Sequence, residues 1–365
     1  MMPSSGSIPI CDLHCDTATN LLLGSPLTDR GMQVNLPGMI EGGIGLQVFA
    51  CYIPPAIPRG QAFPMVEKMI VNLKAELARH PEIALCTNLA EIGSARASNR
   101  IAAFIGVENG NAIDGDLANL EKLRDLGVRL MTIIHAESNE WAISSNDPAP
   151  RFDGLTDLGR DVIQAMDDLG IIIDVSHSHD RTVEEVLRHS RKPVIASHSC
   201  AKTLCPNARN LSDELIAGLA YSGGVVGLNL YPGFLDAGYN RRITERAGDL
   251  FSELGKMERA AGMDIVKIGE LYPGFVARFT EAMGDDLLPL ERYYDHILYV
   301  TELIGAEYVA FGSDFDGVPI LPEGVAGCAS MRRIQEGLYE RDYSLDEIQA
   351  ISWDNFMRVI GAVCG

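Results

Sequence analysis

The sequence predicts a (β/α)8 barrel, an α/β fold in which eight parallel strands alternate with helices. Three observations predict it. Short runs rich in Ile and Val alternate about eight times with stretches that carry apolar residues at helical spacing. Most of these runs are apolar on both faces, as strands buried within a parallel sheet are. Several end on His, Asp or Glu, and barrels of this kind place their chemistry on the rim formed by the C-terminal ends of the strands.

The expected strands are 8–14, 45–53, 101–108, 129–136, 171–177, 193–198, 224–231 and 307–314. Between the second and third, residues 63–80 read as a helix, with Val66, Met69, Ile70, Leu73 and Leu77 on one face and Pro81 after its end. Residues 154–169 form a helix stopped by Gly170, and 181–190 form another. Residues 211–222 follow, with Leu211 or Ser212 near the start, and 290–304 and 344–362 complete the set. The segment from Pro232 to about Pro289 breaks this rhythm. It is charged, reads as helical, and is much longer than an ordinary connection between strand and helix. Coming after the seventh strand, it should project from the catalytic rim as a lid or an oligomer contact, or else as a surface excursion with no role in the site. No linker divides the chain, so residues 1–365 are expected to form one (β/α)8 domain.

Composition narrows the function classes. With 47% hydrophobic and 22% charged residues, the 365-residue chain can bury a full core. Its formal net charge of -20 and lack of a basic stripe argue against nucleic acid as a partner. No stretch reaches the apolar length of a membrane span. Residues Met1 to Gly6 lack a basic region followed by an apolar run, so a cytoplasmic protein is expected. The eight cysteines are then expected as reduced thiols. The pairs Cys11/Cys15 and Cys200/Cys205 lack the spacing of a thiolate zinc site.

The polar residues at the strand ends form a constellation. His14-Cys15-Asp16 sets an imidazole and a carboxylate two residues apart, on one side of an extended chain, where they can share a metal ion. Glu108 ends an apolar strand, where a carboxylate needs a cation or a donor, and its two oxygens can bridge two metals. His177 and His198 end consecutive strands about 4.8 Å apart and can converge on a second ion, although His179 shares the parity of His177. Imidazole in the set His14, Asp16, Glu108, His177 and His198 favours zinc over magnesium. Two ions about 3.5–4 Å apart would share a water and lower its pKa, giving a bridging hydroxide for attack on a carbonyl. Asp314, after the last strand, can take a proton from that water and pass it to a leaving amine, with Asp316 as a competitor of the same parity. His135 can donate to a developing oxyanion, and Arg209 can bind a substrate carboxylate in two-point fashion. His80, His189 and His296 lie in helical patterns and read as surface or packing residues. There is no dinucleotide, P-loop or Gly-x-Ser-x-Gly spacing.

These motifs together resemble the renal (membrane) dipeptidase family, zinc peptidases of the amidohydrolase-like barrels. The resemblance is carried by Asp12-Leu13-His14-Cys15-Asp16, Gly106-Val107-Glu108-Asn109-Gly110, Asp174-Val175-Ser176-His177, Ser197-His198-Ser199, Ala208-Arg209-Asn210 and Gly312-Ser313-Asp314-Phe315-Asp316-Gly317. It covers nearly the whole chain outside 232–289. It implies two Zn2+ per chain, with His14 and Asp16 on one ion, His177 and His198 on the other, and Glu108 between them. It also implies that His135 binds the substrate oxygen, Asp314 handles the proton, and Arg209 with Tyr231 holds the C-terminal carboxylate. His177 is thereby favoured over His179. The implied reaction is hydrolysis of small dipeptides, often with a D-residue at the C-terminal position, by a homodimer. The membrane attachment of mammalian members is not carried over. The same barrel and metals also suit another amide, a lactam or a lactone, and a non-catalytic binding protein is the remote alternative.

Overall fold

A computed structural model describes residues 8–55, 57–262 and 264–365. The stretch Met1–Gly6, on which the expected absence of a leader rests, lies outside them. Nine strands are found among the described residues: β1 (Ile10–Asp12), β2 (Ile44–Tyr52), β3 (Ile83–Leu85), β4 (Ile101–Glu108), β5 (Val128–Thr132), β6 (Ile172–Asp174), β7 (Val194–Ile195), β8 (Val226–Leu228) and β9 (Val309–Phe311). Eight of them run in the order β7-β6-β5-β4-β2-β1-β9-β8, and every pairing is parallel. The ring closes between β7 and β8 through the Ala196–Val226 bridge, where the Gly227 N–H donates to the Ala196 carbonyl at 2.7 Å. The expected (β/α)8 barrel is therefore the fold. β3 pairs with β4 outside the ring, and the sequence reading missed it because three residues are too few to show a period.

Side chains on the strands divide by parity. Leu46, Val48, Ala102, Phe104, Leu130, Ile172, Ile195 and Ala310 fill the barrel interior, together with Phe356, Val359 and Ile360 of the helix Asn355–Val363. Phe49, Cys51, Ala103, Ile105, Val107 and Met131 belong instead to the larger cluster shared with the surrounding helices. Glu108 shares the inward parity of Ala102 and Phe104. Sequence and pleat thus aim its carboxylate into the barrel mouth.

Helices fall near their expected places at Ala62–Leu77, Asp157–Leu169, Asp180–His189, Asp213–Tyr221 and Glu291–Ile304. Gly170 ends the second of these in the left-handed region at φ 69, as expected. Ser212, not Leu211, caps the fourth by accepting from the Leu215 N–H. The expected helix 344–362 is interrupted by a π-helical turn at Ala350–Asp354. Helices Leu89–Ala97, Leu117–Asp125 and Met331–Tyr339 were not foreseen. Segment 232–289 is helical, as expected, with helices Pro232–Leu235, Ala237–Ala261 and Ile265–Met283. Among the described residues no helix is long and apolar enough to cross a membrane, and all eight cysteines are free.

Candidate metal centre

Five of the eight ring strands are only two or three residues long, so several of the chemical residues sit just beyond the ladder. This corrects the extended geometry expected for His14-Cys15-Asp16. β1 ends at Asp12, and Asp16 is the cap residue of helix Thr17–Leu22 with φ -97 and ψ 13. The two side chains still converge, with His14 Nε2 3.5 Å from Asp16 Oδ2. Cys15 points away into the core, where its thiol donates to the Val48 carbonyl. His177 and Asp314 also leave the ladder, at φ 67 and φ 62. Left-handed backbone at a residue other than Gly costs roughly 1 kcal/mol or more, and strain of that kind collects at functional sites.

Glu108 lies at the middle of the cluster. Oε1 is 3.1 Å from His177 Nε2, 3.5 Å from His198 Nε2 and 3.8 Å from His135 Nε2. Oε2 is 3.7 Å from His14 Nε2. His177 Nε2 and His198 Nε2 approach to 2.9 Å. The donor sets His14–Glu108–His198, Glu108–His135–His177 and His14–Asp16–Asp314 each gather within 4.8 Å. His179 is elsewhere, its Nδ1 accepting the Arg181 N–H at the start of helix Asp180–His189. Asp316 is also turned away, accepting from Thr17 Oγ1 and from the backbone N–H groups of Gln33 and Val34. His296 is a buried packing residue held between the Ala201 N–H and the Leu235 carbonyl.

Burial and charge act on the centre together. Burial raises the Asp16 carboxyl to about 6, with Glu108 adding to it. Burial also raises Asp314 to about 7, opposed by His14 and reinforced by Asp16. His135 is lowered to about 3 by burial and then by the Arg209 charge. Burial likewise lowers His177 and His198. At His14 burial disfavours the charged ring, but Glu108 and Asp16 together hold its pKa above the ordinary value.

A second layer, not assigned roles from sequence, orients these groups. Asp174 accepts from Thr132 Oγ1 at 2.5 Å, Ser197 Oγ at 2.6 Å and the N–H groups of Ser176 and Ser197. Ser197 Oγ also lies 2.7 Å from His198 Nδ1. Its single proton goes to Asp174, so it accepts from Nδ1–H and leaves a lone pair on His198 Nε2. Asp12 accepts from Ser313 and Gln47 and thereby ties β1 to the turn that carries Asp314. Asn229 Nδ2 donates to Asp314 Oδ2 at 2.8 Å. Asp12 and Asp174 did carry a signal, since a carboxylate within a buried apolar strand must find donors.

Arg209 is 5% exposed and donates to Ser199 Oγ and, at 3.1 Å, to the His198 carbonyl. Its guanidinium stacks on Phe234, whose ring also packs edge-on against Tyr231. No carboxylate is paired with it among the described residues.

The donor set fits a metal. The Glu108 carboxylate is 4% exposed and faces four imidazole nitrogens at 3.1 to 3.8 Å. His14 Nε2 is buried without a hydrogen-bond partner. A buried ring nitrogen of this kind, beside converging carboxylates, is costly unless a cation receives it.

The profile of the family described as membrane dipeptidase, peptidase family M19, matches residues 5–364. Dipeptidase aclJ of Aspergillus oryzae is 27% identical over 98% of this chain and 78% of its own length. Dipeptidase 3 of Mus musculus is 27% identical over 97% of this chain, which spans 64% of that relative. Among solved structures, dipeptidase AC, a metallopeptidase of family M19, superposes with a TM-score of 0.80 at 24% identity, covering 99% of this chain and 100% of that one. A Rhodobacter sphaeroides metallopeptidase liganded with a phosphinate mimic of the dipeptide L-Ala-D-Ala gives 0.79 at 23% identity, covering 98% and 100%. These structural likenesses establish the shared fold.

Proposed function

Since the chain belongs to the membrane dipeptidase family, peptidase family M19, we propose that it hydrolyses free dipeptides, including L-Xaa-D-Xaa, at a centre of two zinc ions. The observation that carries this reading is Glu108, a buried carboxylate set among the ring nitrogens of His14, His135, His177 and His198. His14 and Asp16 would hold one ion, His177 and His198 the other, and Glu108 both. When bound, the ions would supply Lewis acidity and a water acidified towards neutral pH.

The chain's own residues do the rest. Asp314 Oδ2 is held by Asn229, which leaves Oδ1 to take the proton of the attacking water and return it to the leaving amine. His135 is kept neutral by burial and donates its N–H to the scissile carbonyl oxygen as negative charge develops there. Arg209 and the Tyr231 hydroxyl receive the C-terminal carboxylate. That charge compensates a guanidinium which has no counter-ion of its own among the described residues. Acceptance of a D-residue at the C-terminal position is consistent with the ligand of the Rhodobacter sphaeroides relative, a mimic of L-Ala-D-Ala. The free cysteines support a cytoplasmic setting, and the family resemblance supports a homodimer.

The test is turnover of a panel of L,L- and L,D-dipeptides by zinc-loaded protein, with an N-acetylated, C-amidated dipeptide as control. Cleavage of the free peptides and not of the blocked one is expected. Equal cleavage of both would sink the carboxylate-dependent reading.

A further inference from the structure

The helices of segment 232–289 cross the barrel mouth. The chain leaves β8 at Tyr231 and enters helix Ala237–Ala261, whose 25 residues extend about 37 Å at 1.5 Å per residue. Its far end meets the loop after β5, where Arg259 Nη1 lies 3.6 Å from Glu137 Oε1. β8 and β5 lie on nearly opposite sides of the ring, separated by β6 and β7 on the shorter way round. Helix Ile265–Met283 then returns to the β1 and β9 side. Gly269 packs there so closely on Leu23 that an added Cβ would lie 2.7 Å from Leu23 Cδ1. The Tyr272 hydroxyl donates to the Gly317 carbonyl at 2.7 Å. Gly317 itself sits between Asp16 and Asp314, since a Cβ there would fall 2.2 Å from Asp16 Oδ2 and 2.5 Å from Asp314 Oδ1.

The two ends of this roof are held differently. The return helix is anchored by buried Ile268, Phe275, Phe279 and Met283. The tip, beyond the packing of Phe251 on Phe275 and Phe279, exposes Met257 and is tied across the mouth by the exposed Arg259–Glu137 pair, a contact of small energy. Glu258 at the tip is half-buried between exposed Met257 and Arg259, so its side chain faces inward. It has no hydrogen bond or ion pair among the described residues. On the floor of the mouth, Tyr52, the last residue of β2, packs its ring edge-on against His135, two residues before Glu137, with centroids 4.8 Å apart. Burial raises the Tyr52 hydroxyl, and Glu258 adds to that shift ahead of Glu108 and Asp16 of the centre.

On the dipeptidase reading, Arg209 takes the substrate's carboxylate on the β7–β8 side, and the amino-terminal residue extends towards Tyr52 and Glu137. We propose that the tip reads that residue: it closes the space beyond it, and Glu258 receives its free ammonium, so the site admits dipeptides and rejects longer or des-amino analogues. The roof is then a specificity element and not a surface excursion.

The experiment compares kcat/KM for Ala-Ala, Ala-Ala-Ala and N-propionyl-alanine in the wild type, Glu258→Gln and Arg259→Ala. The wild type should prefer Ala-Ala over both other substrates. In Glu258→Gln, KM for Ala-Ala should rise about tenfold through loss of one charge-assisted contact, with N-propionyl-alanine unmoved. In Arg259→Ala, the tripeptide-to-dipeptide ratio should rise severalfold as the tip is freed. Equal effects of Glu258→Gln on Ala-Ala and N-propionyl-alanine would overturn the proposal, as would an unchanged length ratio in Arg259→Ala. A wild type that cleaves none of the three overturns the dipeptidase reading itself. One that cleaves Ala-Ala and Ala-Ala-Ala equally well overturns the roof's role alone.

Discussion

Glu108→Gln is expected to abolish most dipeptide hydrolysis, lowering kcat/KM on the order of 10³-fold, or about 4 kcal/mol of transition-state stabilisation. The substitution keeps the shape and removes the charge that faces His14, His177, His198 and His135. An amide oxygen is a weaker ligand, and its NH2 would point a donor at one of the two proposed ion positions. Bound zinc should therefore fall below two per chain. The metal-free variant should melt below metal-free wild type, because the substitution removes the carboxylate that faces the charged His14 ring at 3.7 Å. Elemental analysis, kinetics and thermal melts of both proteins check this. A variant with full zinc content and near-wild-type kcat/KM would exclude a bridging role for Glu108.

Arg209→Ala carries the second large effect, a fall of roughly 10²-fold or more in kcat/KM for free dipeptides. Arg209 is buried, and its guanidinium donates only to Ser199 Oγ and the His198 carbonyl among the described residues. Burial lowers its pKa, with Asp314 and Glu108 opposing. A guanidinium left without a counter-ion in such a place costs stability, and a substrate carboxylate removes that cost on binding. The substrate-free Arg209→Ala variant should thus be no less stable than wild type, while its substrates lose their anchor. The corresponding C-amidated dipeptide, which offers no carboxylate, should be turned over at nearly the same slow rate by both proteins. Arg209→Lys should recover little, because an ammonium lacks the planar fork. Equal losses on the acid and the amide would mean that Arg209 acts through packing on Phe234 and not through the substrate.

The proposed ligands were legible because they interrupt strong patterns. Glu108 ends an eight-residue apolar strand at inward parity, and the pleat alone aims it into the mouth. His14, His177 and His198 follow apolar runs in the same way. The strand lengths were overestimated because the apolar run outlasts the ladder. Val175 lies one residue past the end of β6 and keeps a single hydrogen bond, from its N–H to the Ile195 carbonyl, before the chain turns through left-handed backbone at His177. The choices between His177 and His179 and between Asp314 and Asp316 could not be made by parity, since each pair shares it. The hydrogen bonds of His179 to the Arg181 N–H and of Asp316 to Gln33 and Val34 separate them in space. Asn229 was missed because its partner Asp314 is 85 residues away, and no local period records that pairing. Glu258 and Tyr272 were missed for a related reason. In a charged helix they look solvated, and only the course of the chain across the mouth brings them near the centre.

The most direct measurement strips the protein of metal with a chelator and titrates zinc back while hydrolysis of a free dipeptide is followed. Activity should be absent at the start and should rise to a plateau at two equivalents per chain. Full activity in the stripped protein, or a plateau at one equivalent, would contradict a centre in which Glu108 joins two ions.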